Sequence, residues 1–304
     1  MTFRFLLPTF CILLLAGRYN ALSGQRFQNI RQAEDTLSSI LSALNRASDD
    51  STRNVMNIAF RENLAAAITL RSSDSYPFDS LKTLVKVTSP DNKFRFFHWN
   101  LPSRDGKNRY YGFLKLLNHD PAVVYMLHDV SDSLSYPDTV QSGSKQWFGA
   151  LYYKVIPEET ATGIKIYTLL GWSGKNSAIT QKVIEVLSFD DLGEPRFGLK
   201  IFPDYKGGNM TRIIFRFAST ATMALKYVPQ TISTKQGWNA KKRAFDYSLS
   251  ETPMIVYDRM VPLDPQLEGQ YQFYVPAGEL SDGFVFTRHS WNSIRGIDTR
   301  NKKQ

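Results

Sequence analysis

Apolar positions keep a helical spacing up to about residue 70 and change to a two-residue alternation from about residue 80. In "FQNIRQAEDTLSSILSALNR" (27–46), Phe27, Ile30, Leu37, Ile40, Leu41 and Leu44 recur at helical intervals between polar residues. Asp49, Asp50 and Ser51 then offer a side-chain cap to a second helix, in which Met56, Phe60, Leu64 and Ile68 repeat at four-residue steps. Two short amphipathic helices must bury their stripes against something. Either they cover the rest of the domain, or they form a hairpin that binds a partner.

The alternating region opens with "LKTLVKV", the turn "TSPDNK" and "FRFFHWN". Pro90 presets that turn and Asp91 and Asn92 suit the positions after it, so a β-hairpin is predicted. Further strands are expected at 109–117, 122–130, 148–156, 164–172, 182–189, 196–202, 211–217, 222–228, 254–261, 270–275 and 283–291. The polar stretch 135–146 is a linker or an internal loop. No helical segment separates the strands, so parallel β-α-β units are not expected. The fold class predicted is mainly β, an antiparallel meander built as a sandwich, barrel or propeller-like sheets, preceded by a short N-terminal helical hairpin. The lack of a fixed repeat length weighs against a true propeller.

Residues 1–23 stand outside this pattern. Arg4, the apolar run 5–17 and the small residues of "ALS" (21–23) have the order of a cleaved signal peptide, and the run is too short to span a bilayer comfortably. Cleavage near Ser23–Gly24 would send the chain to the periplasm or outside a bacterial cell. Cys11, the only cysteine, lies in this segment. A mature chain without it has no disulfide, thiolate or cysteine-metal chemistry. The chain is thus divided into a signal peptide (1–23), a helical segment (24–75), a β-rich domain (76–292) and a basic tail (293–304).

The formal charge of +9 becomes +7 when Arg4 and Arg18 leave with the signal segment. The excess is local: Lys235, Lys241, Lys242 and Arg243 in one loop, and Arg295, Arg300, Lys302 and Lys303 in the tail. This is either a solvated loop and a frayed end, or a contact with an anionic surface. The solvated loop is the plainer reading; Trp238, inside the basic loop, is the complication, since an exposed tryptophan there could instead touch a polymer or membrane surface. Export argues against a nucleic-acid partner.

"YTLLGWSGKN" (167–176) resembles a catalytic turn but fails each test. The second glycine of a nucleophile elbow would come one residue later, and a P-loop needs wider glycines and a hydroxyl where Asn176 stands. The expected structure is a turn, with Ser173 and Asn176 bonding locally and Trp172 closing a strand end against the core. The histidines, at 98, 119, 128 and 289, have no metal-ligand spacing. His98 and His128 are placed on strands that could be neighbours, whereas His128 and Asp129 should face opposite ways. No catalytic, metal or cofactor residue is predicted. The aromatic clusters at 109–111, 151–153 and 270–274 are either core or sugar-stacking platforms.

The ordered strings "SPDNKFRFFHWN", "WFGALYYKVI", "YTLLGWSGKN", "KVIEVLSF", "IVYDRMVP" and "YQFYVPAGELSDGFVF" resemble an uncharacterised family of exported, β-rich bacterial proteins over most of residues 76–291. The resemblance implies export and one continuous unit, and carries no activity. Family members more often have Asp where this chain has Ser173 and Ala277. The function expected is an exported structural or interaction module of the cell envelope, partnered by an envelope protein or polymer, with binding residues Trp172, Trp238, Lys241, Lys242 and Arg243. A carbohydrate-binding or glycan-acting protein is the alternative.

Overall fold

Asn29 and Asp49 open the two helices by accepting hydrogen bonds from the backbone N–H of Gln32 (2.9 Å) and Thr52 (2.8 Å). The structure, a computed structural model, describes residues 27–298, with the side chains of 233–235, 279, 280 and 298 outside that description. The expected signal segment with Cys11, and Arg300, Lys302 and Lys303 of the expected tail, also lie outside the described residues. Helix α1 spans Ile30–Arg46 and α2 spans Asp50–Thr69. No helix among the described residues is long and apolar enough to cross a membrane.

Three antiparallel sheets follow in chain order. Sheet one is β1 (Val85–Thr88), β2 (Phe94–Pro102), β3 (Asn108–Leu116) and β4 (Val123–His128), paired in sequence. Sheet two contains β5 (Ser142–Gly143), β6 (Leu151–Glu159), β7 (Lys165–Gly174), β8 (Ile179–Phe189), β9 (Pro195–Phe197) and β10 (Ile213–Ala218). Its order is β5-β9-β8-β7-β6, with β10 also on β8. Sheet three is β11 (Leu225–Asn239), β12 (Ala244–Pro262), β13 (Tyr274–Thr287) and β14 (Ser290–Asp298), again paired in sequence. The fold is a mainly β, sandwich-like meander behind two helices, with no closed barrel among the described residues.

Successive layers are joined by three cores. Leu37, Leu41, Phe60 and Leu64 of the helices pack on Phe97, Trp99 and Phe113 of sheet one. The opposite face of that sheet, through Phe94, Phe96 and Leu114, meets Tyr167, Leu169, Val183 and Leu187 of sheet two. The other face of sheet two, through Ile166, Leu170, Ile184 and Val186, meets Ile255, Phe284 and Trp291 of sheet three. Burial of sheet two on both faces explains why β7 and β8 read as nearly continuous apolar runs. The helices therefore bury their stripes inside the fold.

Several boundaries differ from the sequence reading. The run 283–291 is two strands, because Arg288 (φ 51°) and His289 (φ 61°) form a tight turn without glycine or asparagine to announce it. Residues 271–273 form a 3-10 turn before β13. Ser293–Asp298 of the expected tail belongs to β14, paired with β13. The stretch 135–146 is fastened rather than dividing: the Thr211 N–H donates to Asp138 O (2.9 Å), and the Thr211 hydroxyl to Val140 O (2.9 Å).

Asp91, in the β1–β2 turn, ties sheet one to sheet two by accepting from the Tyr167 hydroxyl (2.7 Å) and Lys165 Nζ (3.0 Å). Burial would raise its carboxyl, but these hydrogen bonds prevail and hold it at about 2, below its ordinary 3.8. A depressed acid contributes stability that is full above its unfolded value and is lost as pH falls through the folded one. Asp91→Asn should therefore cost about 1–2 kcal/mol at neutral pH, with the deficit closing between about pH 4 and 2. Urea unfolding across that range checks it, and a deficit independent of pH would refute the linkage.

Candidate functional site

Two features of sheet three stand out from the layered core. The first is a cleft of about 480 Å³ where sheet three meets β10 of sheet two. That volume lies inside the roughly 300–1,000 Å³ range of small-molecule sites. β10 supplies Phe215 and Arg216, β12 supplies Tyr257 and Arg259, and β14 supplies Ser293 and Arg295. The loop after β9 adds Asp204 and Tyr205, and the turn before β13 adds Tyr271.

The cations of the cleft are unequally committed. Arg259 makes two bonds to Asp282, from Nε to Oδ2 (2.9 Å) and from Nη2 to Oδ1 (2.6 Å), and the Gly296 N–H also donates to Asp282 (3.1 Å). Burial raises the Asp282 carboxyl, but these donors outweigh it and the net shift is downward. Arg216 pairs with Asp138 at 2.9 Å and lies over the Tyr271 ring, 5.8 Å from its centre. Arg295 is exposed and makes no hydrogen bond or ion pair among the described residues; it reaches Asp282 and Tyr257 only through its field.

The aromatic wall is built of rings in mutual contact. Tyr257 lies between Phe215, tilted against it at 4.6 Å, and Phe284, stacked on it at 5.4 Å, and Tyr205 meets Phe284 edge-on at 5.5 Å. Burial, reinforced by Asp138 and Asp282, pushes the Tyr205 hydroxyl up to about 12, and burial raises that of Tyr257 as well. Both hydroxyls thus remain protonated donors, and neither forms a hydrogen bond among the described residues.

The second feature is a two-stranded ribbon, the outer parts of β11 and β12. The third strand of the sheet, β13, pairs with β12 only from Met254 onward. Outward from the Pro229–Pro253 pair no described side chain is buried. About ten residues per strand correspond to an arm of roughly 30 Å. Side chains alternate between its faces. Phe245, Tyr247 and Leu249 share one face, and Trp238, paired with Phe245 and in edge contact with it at 5.1 Å, joins them. Their exposures are 58% for Trp238, 40% for Phe245, 60% for Tyr247 and 72% for Leu249, so the face is apolar and open to solvent. The opposite face is polar: Gln236 donates to Ser248 (2.6 Å) and Asn239 to Asp246 (2.8 Å).

The expected basic loop is therefore a strand end and turn. Asn239 Oδ1 accepts the N–H groups of Lys241 (3.1 Å) and Lys242 (3.2 Å), and Arg243 closes the turn at φ 49°. The period breaks at Gly237 because a β-bulge between Lys235 and Trp238 absorbs it. Lys242 pairs with Asp246 at 2.8 Å, while Lys241 and Arg243 have no acidic partner among the described residues. The Lys235 backbone pairs with Tyr247, and its side chain lies outside the described residues.

The remaining candidates are placed as follows. Trp172 is half-buried at the margin of the core between sheets one and two. Ser173 is not on a turn: β7 continues to Gly174, and Ser173 sits opposite Gln181 with 2% exposure. Asn176 does bond locally, accepting the N–H groups of Ala178 and Ile179 at 2.9 Å each. His98 and His128 lie on either side of β3. His128 and Asp129 line one recess of about 270 Å³, where Asp129 accepts the N–H groups of Tyr110 (2.9 Å), Ser131 (2.9 Å) and Gly149 (3.2 Å). Among the described residues no three His, Cys, Asp or Glu side chains are grouped to hold a metal ion.

Of the expected binding residues, Trp238, Lys241, Lys242 and Arg243 come together at the ribbon, while Trp172 stands apart. Sequence reasoning missed Arg216 and Arg259 and placed Arg295 in a basic tail, whereas the three reach the cleft from three strands of two sheets. The cluster at 270–274 pointed to Tyr271 without its companions. Comparison with protein-family models, curated proteins and solved structures found no match.

Proposed function

We propose that this protein is an exported interaction module of the bacterial cell envelope that docks on an anionic membrane surface through the β11–β12 ribbon, without catalytic chemistry of its own. The observation that carries this reading is the solvent-open face of Trp238, Phe245, Tyr247 and Leu249 beside the cationic turn of Lys241, Lys242 and Arg243. Aromatic and aliphatic side chains enter the headgroup boundary while lysine and arginine meet anionic lipid, each cation contributing about 1 kcal/mol. Export rests on the series Arg4, residues 5–17 and "ALS", and on the resemblance to exported bacterial proteins.

Co-sedimentation with phosphatidylcholine vesicles, with and without phosphatidylglycerol, tests the docking. Binding should require the anionic lipid and weaken with salt. Lys241→Gln, Lys242→Gln and Arg243→Gln together should lower it by roughly 100-fold. Trp238→Ala should weaken it further, and the urea midpoint should not move for either variant. Equal binding by the triple variant would refute the electrostatic contact, and a fall in the midpoint would place the turn inside the core.

Carbohydrate binding is the second reading, favoured by the cleft: tyrosine rings and hydroxyls line a concavity distant in sequence from the ribbon turn.

A further inference from the structure

We infer that the cleft between sheets two and three binds a carboxylated sugar, a uronate-type residue of an acidic glycan, with Arg295 as the carboxylate anchor and the tyrosine wall against the sugar ring. This deepens the carbohydrate reading and does not depend on the ribbon.

The argument runs from which groups are already occupied. Both oxygens of Asp282 are taken by Arg259, and Asp138 holds Arg216. These pairs fix two guanidinium planes in the wall and leave two cations of the cleft with no ion-pair partner among the described residues: Arg295, and Lys206, whose Nζ lies 5.5 Å from the centre of the Tyr205 ring. Of the two, Arg295 alone has the planar fork that takes both oxygens of a carboxylate, whereas Lys206 is a point charge held against an aromatic face.

The remaining polar groups fit a polyol. The hydroxyls of Tyr205, Tyr257 and Ser293, and the Asp204 carboxylate, line the cleft without hydrogen bonds among the described residues. Together they offer both donors and acceptors, which sugar hydroxyls need and a flat apolar ligand does not. The Tyr271 ring, held by Arg216 and by Tyr274 at 5.1 Å, provides a face for the C–H side of a pyranose.

Calorimetric titration of the full chain with digalacturonate, neutral galactobiose and galactose 1-phosphate tests the assignment. Digalacturonate should bind, and galactobiose at least about tenfold more weakly, the difference a charge-assisted pair makes. Arg295→Gln should weaken digalacturonate by the same factor. Because that side chain is exposed and unbonded, its urea midpoint should match the parent protein. Tyr271→Ala should weaken both sugars alike. The triple variant of the ribbon turn should bind digalacturonate normally, which separates this site from membrane docking. No digalacturonate binding, equal affinity for the neutral sugar, an unaffected Arg295→Gln variant, or tighter binding of the sugar phosphate would each overturn the proposal.

Discussion

Arg212→Ala is expected to destabilise the protein by about 3–5 kcal/mol, the cost of removing one partner from a buried ion pair. Arg212 and Glu185 are both wholly buried, with Nε 2.6 Å from Oε2. Burial pushes the Glu185 carboxyl up, and Arg212 and the Val186 N–H oppose it. The guanidinium also donates to the carbonyls of Pro137 and Phe197 and to the Ser142 hydroxyl. One side chain thus fastens the 135–146 stretch to β8 and β9, and Asp138 in that stretch holds Arg216 at the cleft. Alanine would leave a buried carboxylate, two carbonyls without their donor and a cavity. Replacing both partners, Glu185→Leu with Arg212→Met, should cost less than the single change, since no charge is left unpaired. Urea unfolding of the four proteins of the cycle measures this. A loss below about 1 kcal/mol for Arg212→Ala would show that the pair is not structural.

Lowering the pH from 6.5 to 4 is expected to remove about 3 kcal/mol of stability through His98 alone. Its ring is buried, stacked on Phe96 at 5.6 Å, and bridges two sheets. Nε2 accepts the Tyr152 N–H of β6 (2.9 Å), and Nδ1 lies 3.0 Å from the Val85 carbonyl. An N–H can only donate and a carbonyl can only accept, so the proton sits on Nδ1 and the ring is neutral. Burial depresses its pKa from 6.5 to about 4, against the hydrogen bonds that favour the charged form. Below 6.5 the unfolded chain takes up a proton that the folded one refuses, so stability falls until the folded group titrates as well. His98→Leu should be less stable at pH 7, because the Tyr152 N–H loses its acceptor, and should show a flatter slope between pH 6.5 and 4. Nitrogen NMR of the folded ring gives a second readout; titration near 6.5 with the fold intact would contradict the assignment.

Much of the β body was legible in the sequence because each strand carries its own signal. The hairpin around Pro90, Asp91 and Asn92 and the runs at β7 and β8 needed no distant partner to be read. Failures came where the local signal was ordinary. Arg288 and His289 turn the chain with residues that seldom adopt positive φ. Lys235 to Arg243 read as a loose basic loop because charge and Gly237 masked a bulged strand. Nothing local marks Glu185 and Arg212 as a buried pair, since the covering of sheet two on both sides is a long-range property.

The sequence by itself determined the two amphipathic helices, the antiparallel mainly β body, and the aromatic and basic character of the segment around Trp238. Periodicity and turn chemistry act over a few residues, and these features need no more than that. Only the tertiary structure decided how the sheets layer, that Phe245, Tyr247 and Leu249 remain open beside Trp238, and that Arg216, Arg259 and Arg295 meet Tyr205, Tyr257 and Tyr271 in one cleft. Those groups come from strands and turns up to ninety residues apart, and they meet because sheet two must bury its second apolar face against sheet three.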